Sequence, residues 1–127
     1  MSSNKIIPFL FLLIISVLIF LLGFFAVTKY TERERNYFDN YPRVEYNKNY
    51  QGVVLKRHYT HGITFIAIEG HIKFSLPWAY NYNYKPIFLG DFLRVGDEIH
   101  KPSHSDTLFV SRDSLQYYFV LEKYINE

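Results

Sequence analysis

The chain has 127 residues, and the 22 from Ile6 to Val27 carry no charge, which leaves room for one small domain and not two. Its 14 Lys and Arg against 12 Asp and Glu give a net charge of +2, too balanced for a nucleic-acid surface, which needs a concentrated basic face. Cysteine is absent, which excludes disulfides, thiolate metal sites, Cys nucleophiles and a lipid-modified Cys, while the 20% aromatic content suits strands and interfaces.

Of those 22 residues, 18 are Leu, Ile, Phe or Val. As a helix the stretch runs about 33 Å, enough to cross a hydrocarbon core of about 30 Å. Its apolar residues together favour insertion by about 5 to 10 kcal/mol, which Pro8, Ser16 and Gly23 cannot reverse. Pro8 is expected in the first turn, where a missing N–H costs little. The run is longer than the apolar core of a cleavable signal peptide, and Gly23-Phe24-Phe25-Ala26-Val27 lacks an A-x-A pattern. We therefore expect a retained anchor in the inner (cytoplasmic) membrane.

Lys5 stands alone before the span, whereas Lys29, Arg33, Arg35, Arg43 and Lys48 follow it. Read literally, the positive-inside rule places the C-terminal part in the cytoplasm. Long domains translocate largely regardless of charge, however, and a first span led by a Lys often acts as an N-in signal anchor. We favour an outward, periplasmic domain. No polybasic cluster of the phosphoinositide-binding kind is present, although acidic lipid attracts single juxtamembrane cations.

Residues 31–38 contain good helix formers and an i, i+3 Glu32/Arg35 pair, so the helix is expected to continue beyond the span. Pro42 disfavours helical geometry at Tyr41 and ends it. Tyr30, Tyr37, Tyr41, Tyr46 and Tyr50 dot this segment. They suit an aromatic belt with a partner surface or, more simply, headgroup contact by Tyr30 and a Tyr-rich linker, which we prefer.

Residues 51–58 read as a strand and Thr60-His61-Gly62 as its turn. Residues 63–69 form a second strand, with Ile63, Phe65 and Ala67 on one face and Thr64, Ile66 and Ile68 on the other. Apolar residues on both faces suggest a central or barrel strand. Residues 71–76 alternate cleanly with Ile72, Phe74 and Leu76 inward, and Pro77 stops them. Residues 107–112 and 115–123 flank Asp113-Ser114 as a tight hairpin, with Leu115, Tyr117, Phe119 and Leu121 on one face. No further helix is expected. The domain reads as all-β, a five- or six-stranded barrel or rolled antiparallel sheet.

In Val95-Gly96-Asp97-Glu98-Ile99-His100-Lys101, Gly96 suits a positive φ and Asp97 can accept turn N–H bonds, fixing Val95 and Ile99 as flanking core residues. With this V-G-D-x-I-x-K turn, the Gly52-Val53-Val54 strand and the N-terminal span, the chain resembles small single-span membrane-anchored proteins of Bacteroidetes-type bacteria, whose activity is not assigned. The turn is also similar to those of lipoyl- and biotinyl-type barrels, whose modified Lys has no counterpart here. The resemblance implies no functional residue.

His58, His61, His71, His100 and His104 invite a metal reading. Pro102 interrupts the second ligand-like pair, His100/His104, and no H-E-x-x-H or Cys supports it. His104, Ser105 and Asp106 are too close in sequence for a triad, and Asp91, Asp97 and Glu98 are unconstrained as glycosidase carboxylates. We assign no catalytic residue, metal ligand or cofactor.

The better candidate is the stretch from Pro77 to Pro86. Extended, it places Tyr80, Tyr82 and Tyr84 on one side and Asn81 and Asn83 on the other. With Trp78 and Lys85 they form a candidate binding set for a protein partner or, alternatively, a glycan. The plainer reading is that Trp78 plugs a barrel end and the tyrosines cover it.

The chain is thus expected to comprise a short tail (1–5), a transmembrane helix contacting the lipid bilayer (6–27), a helix extension and linker (28–49) and a β-domain (50–127). Its expected function is that of a non-enzymatic protein-interaction or structural module at the cell envelope, with no nucleic-acid partner. Glycan binding is the alternative and a His-dependent metalloenzyme a distant third.

Overall fold

The computed structural model describes residues 3–126 and divides the chain into two compact units, Met1–Asn36 and Tyr37–Glu127. The first consists of most of helix α1 (Ser3–Asn40), a single helix long and apolar enough to cross a membrane. None of its most apolar window is buried by protein. Where hydroxyls interrupt the apolar run they bond back to the helix: Ser16 donates to Leu13 O, Thr28 to Phe24 O and Thr31 to Val27 O, each within 2.9 Å. Because the helix begins at Ser3, Pro8 lies inside it and not in the first turn. The helix ends at Asn40, two residues before Pro42.

The second unit is a helix-free β-fold apart from its first residues and one turn of helix. Its strands are β1 (Tyr50–Thr60), β2 (Ile63–Ile68), β3 (Ile72–Leu76) and β4 (Tyr80–Asn81), then, after helix α2 (Leu89–Phe92), β5 (Glu98–Lys101), β6 (Thr107–Arg112), β7 (Leu115–Val120) and β8 (Tyr124–Ile125). Six of them form one antiparallel sheet in the order β3-β2-β1-β5-β6-β7, and β4 and β8 pair in parallel beside it. The expected small all-β domain is therefore an antiparallel six-stranded sheet.

β1 is shared between the two halves of the sheet. Residues 50–53 pair with β5, and from Val54 onward the strand pairs with β2. Between Val54 and Lys56 the register slips by one, leaving Leu55 as the extra residue of a bulge. Two-residue loops close two of the hairpins. His61-Gly62 joins β1 to β2 and Asp113-Ser114 joins β6 to β7, all four residues at positive φ, as hairpins matched to strand twist require.

Ile66, Ile68, Phe74, Leu76, Leu93, Ile99, Leu108, Val110 and Phe119 meet in one core. Three expected core positions are instead exposed. Ile72 and Leu115 lie at strand ends, and Val95 points outward at the tip of its turn. Ile99, on the other side of that turn, is fully buried.

The second compact unit begins at Tyr37, and residues between it and β1 pack on the sheet. The rings of Tyr37, Phe38 and Tyr41 lie 5.3, 5.3 and 5.8 Å from Phe65 and cover the second apolar face of β2. Tyr50 packs 4.5 Å from Phe74. The main chain at 42–44 runs along the β3 edge, with Val44 N–H donating to Ser75 O and Ser75 N–H to Pro42 O. At the far edge, Tyr118 N–H donates to the Tyr84 hydroxyl and Tyr118 O accepts from Asn81 Nδ2.

Candidate functional site

After β3 the chain leaves the sheet at Pro77 and is stitched to the C-terminal segment. Glu122 N–H donates to Trp78 O, Tyr80 N–H to Lys123 O and Tyr82 N–H to Ile125 O. This parallel register sets Tyr80 opposite Tyr124, and their rings stack at 5.0 Å and 20°. Trp78 lies 4.9 Å from Tyr124, and Tyr82 lies 6.4 Å from both Tyr80 and Tyr124. Four rings thus form a continuous strip. Trp78 and Tyr80 are half-buried, whereas Tyr82 and Tyr124 are 49% and 59% exposed. Behind the strip Phe88 packs 5.0 Å from Tyr80 and 4.7 Å from Tyr59. Burial pushes the Tyr80 phenol above its ordinary pKa, with Tyr124 adding to the shift.

The strip is held from beneath by Asn81, which is fully buried. Its Nδ2 donates to Tyr118 O, and its Oδ1 accepts from both Asn83 N–H and Asn83 Nδ2, all at 3.0 Å. This side-chain-to-backbone turn reverses the chain. The expected extended stretch is therefore folded back, and Tyr84 does not share a face with Tyr80 and Tyr82. It packs among Phe92, Tyr117 and Phe119 at 5.1 to 5.7 Å. Lys85 is exposed and precedes a cis bond to Pro86. The structure brings together Trp78, Tyr80 and Tyr82, separates Tyr84, and adds Tyr124. No local pattern marks Tyr124, because only the parallel pairing of β4 with β8 places it there.

The other polar candidates are tied into the fold. Asp97, 3% exposed, accepts Arg94 N–H and takes a two-pronged contact from Arg112 at 2.6 and 2.7 Å. The same guanidinium donates to Phe92 O and lies 4.6 Å from the Phe92 ring. Lys101, 1% exposed, directs its ammonium at the carbonyls of Tyr46, Pro102 and Ser105 at 2.8 to 3.1 Å. Ser105 Oγ accepts Thr107 N–H. His58 stacks on Tyr37, His100 bonds to Asn49, and His104 sits at the edge of Tyr46. Among the described residues, no three His, Asp or Glu side chains are grouped to hold a metal ion.

Comparison of the chain with family models, with curated proteins and with solved structures gave no match.

Proposed function

We propose that this chain is a single-span membrane protein whose β-domain is a non-enzymatic interaction module at the cell envelope, on the outer side of the cytoplasmic membrane. The strip of Trp78, Tyr80, Tyr82 and Tyr124 is its contact surface for a protein partner. The observation that carries this reading is the combination of exposed rings with the Asn81 amide already bonded within the fold. Large amphipathic rings anchor protein interfaces at little entropic cost, and two of these four are open to solvent. Of the two amides beside the rings, Asn81 is buried and bonded at both ends, which withdraws it from sugar recognition. That favours a protein partner over the glycan alternative. Asp97 and Lys101, the buried ionic groups, and Arg112, which pairs with Asp97, are bound in structural contacts, which supports the non-enzymatic part of the reading.

The test places a photo-crosslinking residue at Tyr82 in the full chain in its native membrane, with Leu115, exposed in the β6–β7 hairpin, as the control position. Discrete crosslinked bands at 82 that vanish in a Tyr124→Ala background are expected. Identical patterns at 82 and 115 would remove the strip from consideration. Retention on glycan supports that is lost with Trp78→Ala in a folded protein would move the assignment to the glycan reading. A Ser103→Cys variant, on an exposed turn of a Cys-free chain, reports sidedness through an impermeant maleimide. Labelling before lysis is expected.

A further inference from the structure

The β1 bulge does something unusual with its extra residue. A bulge re-aims one side chain away from the sheet, and here that side chain is Leu55, 52% exposed. Gly96 N–H donates to Val54 O at 2.9 Å, which lays the 94–97 turn against the bulge. Val95, at the tip of that turn, is 65% exposed, and both residues line a groove of about 310 Å³. Lys56 and Arg94 are the exposed neighbours of the two apolar side chains in sequence. Among the described residues no carboxylate lines the groove, whereas Lys56 and Arg57 do. Arg57 is committed to Gly90 O, so Lys56 supplies the groove's available charge, and Arg94 adds a cation on the adjoining side of Val95, where Glu98 and Asp113 are also exposed.

We propose that Leu55 and Val95, flanked by Lys56 and Arg94, rest on the anionic headgroup surface of the membrane that holds residues 6–27. This rests on the anchored reading above. Two features select lipid as the occupant. The first is charge: an apolar pair bordered by cations whose stems can lie along the interface suits an anionic lipid surface. The second is the tether. Tyr37, which lines the same groove, follows Val27 by ten residues, at most about 35 Å of chain. So short a link holds the groove at high effective concentration near the bilayer, and a contact too weak for a free domain then suffices.

The full chain carries no cysteine, so Leu55→Cys, Val95→Cys and Ser103→Cys each accept one environment-sensitive fluorophore. Each is reconstituted in nanodiscs of phosphatidylcholine alone or mixed with phosphatidylglycerol, and the fluorophore is quenched with neutral acrylamide. At positions 55 and 95 a several-fold lower quenching constant and a blue-shifted emission are expected in the phosphatidylglycerol discs. Position 103 stays open in both. Lys56→Gln with Arg94→Gln, or salt near 1 M where screening reaches about 3 Å, restores quenching. Equal quenching at 55, 95 and 103 in both lipids overturns the contact while leaving the anchor standing. Shielding that also occurs in detergent and grows with protein concentration overturns it in favour of a second copy. Failure of the unmodified chain to stay with the discs overturns the anchor and the contact together.

Discussion

A buried ammonium is costly unless its protons are taken, and Lys101 gives all three to main-chain carbonyls. It acts as a fixed cation that closes the loop between β5 and β6 on the segment before β1. Lys101→Met leaves those oxygens without a partner, and a loss of about 3 kcal/mol is expected in urea unfolding of the detergent-solubilised chain. Burial pushes the Lys101 pKa down, opposed by Asp106. Below that lowered value both folded and unfolded states hold the proton, and the burial penalty is constant. As pH rises from there towards the ordinary lysine value near 10.4, the unfolded state binds more protons and stability increases. This alkaline gain is expected in the parent chain and absent from Lys101→Met; an identical pH slope in both would show that Lys101 does not carry it. Asp97→Asn tests the other buried ion, and a loss of about 3–5 kcal/mol is expected because Arg112 is left uncompensated. Sequence points to Asp97 as a turn acceptor, and it does accept Arg94 N–H. Its pairing with Arg112, 15 residues away on β6, leaves no local trace. Lys101 is equally opaque, since a Lys ending a strand normally faces water.

At the scale of elements, period-two patterning marks strands well wherever one face is apolar. Phe74 and Leu76 are buried as their alternation requires, and the Asp113-Ser114 hairpin forms where its two-residue spacing places it. Both turn residues adopt positive φ, which Asp113 tolerates and Ser114 does not favour. Asp113→Asn combined with Ser114→Gly is therefore expected to raise stability by about 0.5–1 kcal/mol, read as a higher urea midpoint at unchanged slope. An unchanged or lower midpoint would mean that the loop is not strained. What patterning cannot reveal is the identity of the cover. The doubly apolar β2 demands a second layer, and Phe65 receives it from Tyr37, Phe38 and Tyr41, residues whose own sequence reads as helix end and linker. The aromatic strip fails in the same way. Alternation groups Tyr84 with Tyr80 and Tyr82, but the Asn81 turn interrupts the extended geometry on which alternation depends.

For the whole molecule, the apolar helix and the β-unit present different surfaces to solvent, one unburied over its apolar window and the other closed around a core. The length of the run in residues 6–27 makes this division legible from sequence without any homologue. If the helix is retained as an anchor, the chain resists alkaline carbonate extraction and its intact mass includes residues 6–27. A mature N-terminus near Ala26 would make the segment a cleaved leader. On the proposed anchored reading, copies are confined to two dimensions, where encounters between like domains are frequent. A sheet with open margins would there be prone to strand-by-strand polymerisation. Here one margin is occupied by main chain at residues 42–44 and the other is engaged by the hydroxyl of Tyr84 and the amide of Asn81. The domain can therefore be packed densely on a surface without zipping to its neighbours, and its contacts are left to side chains.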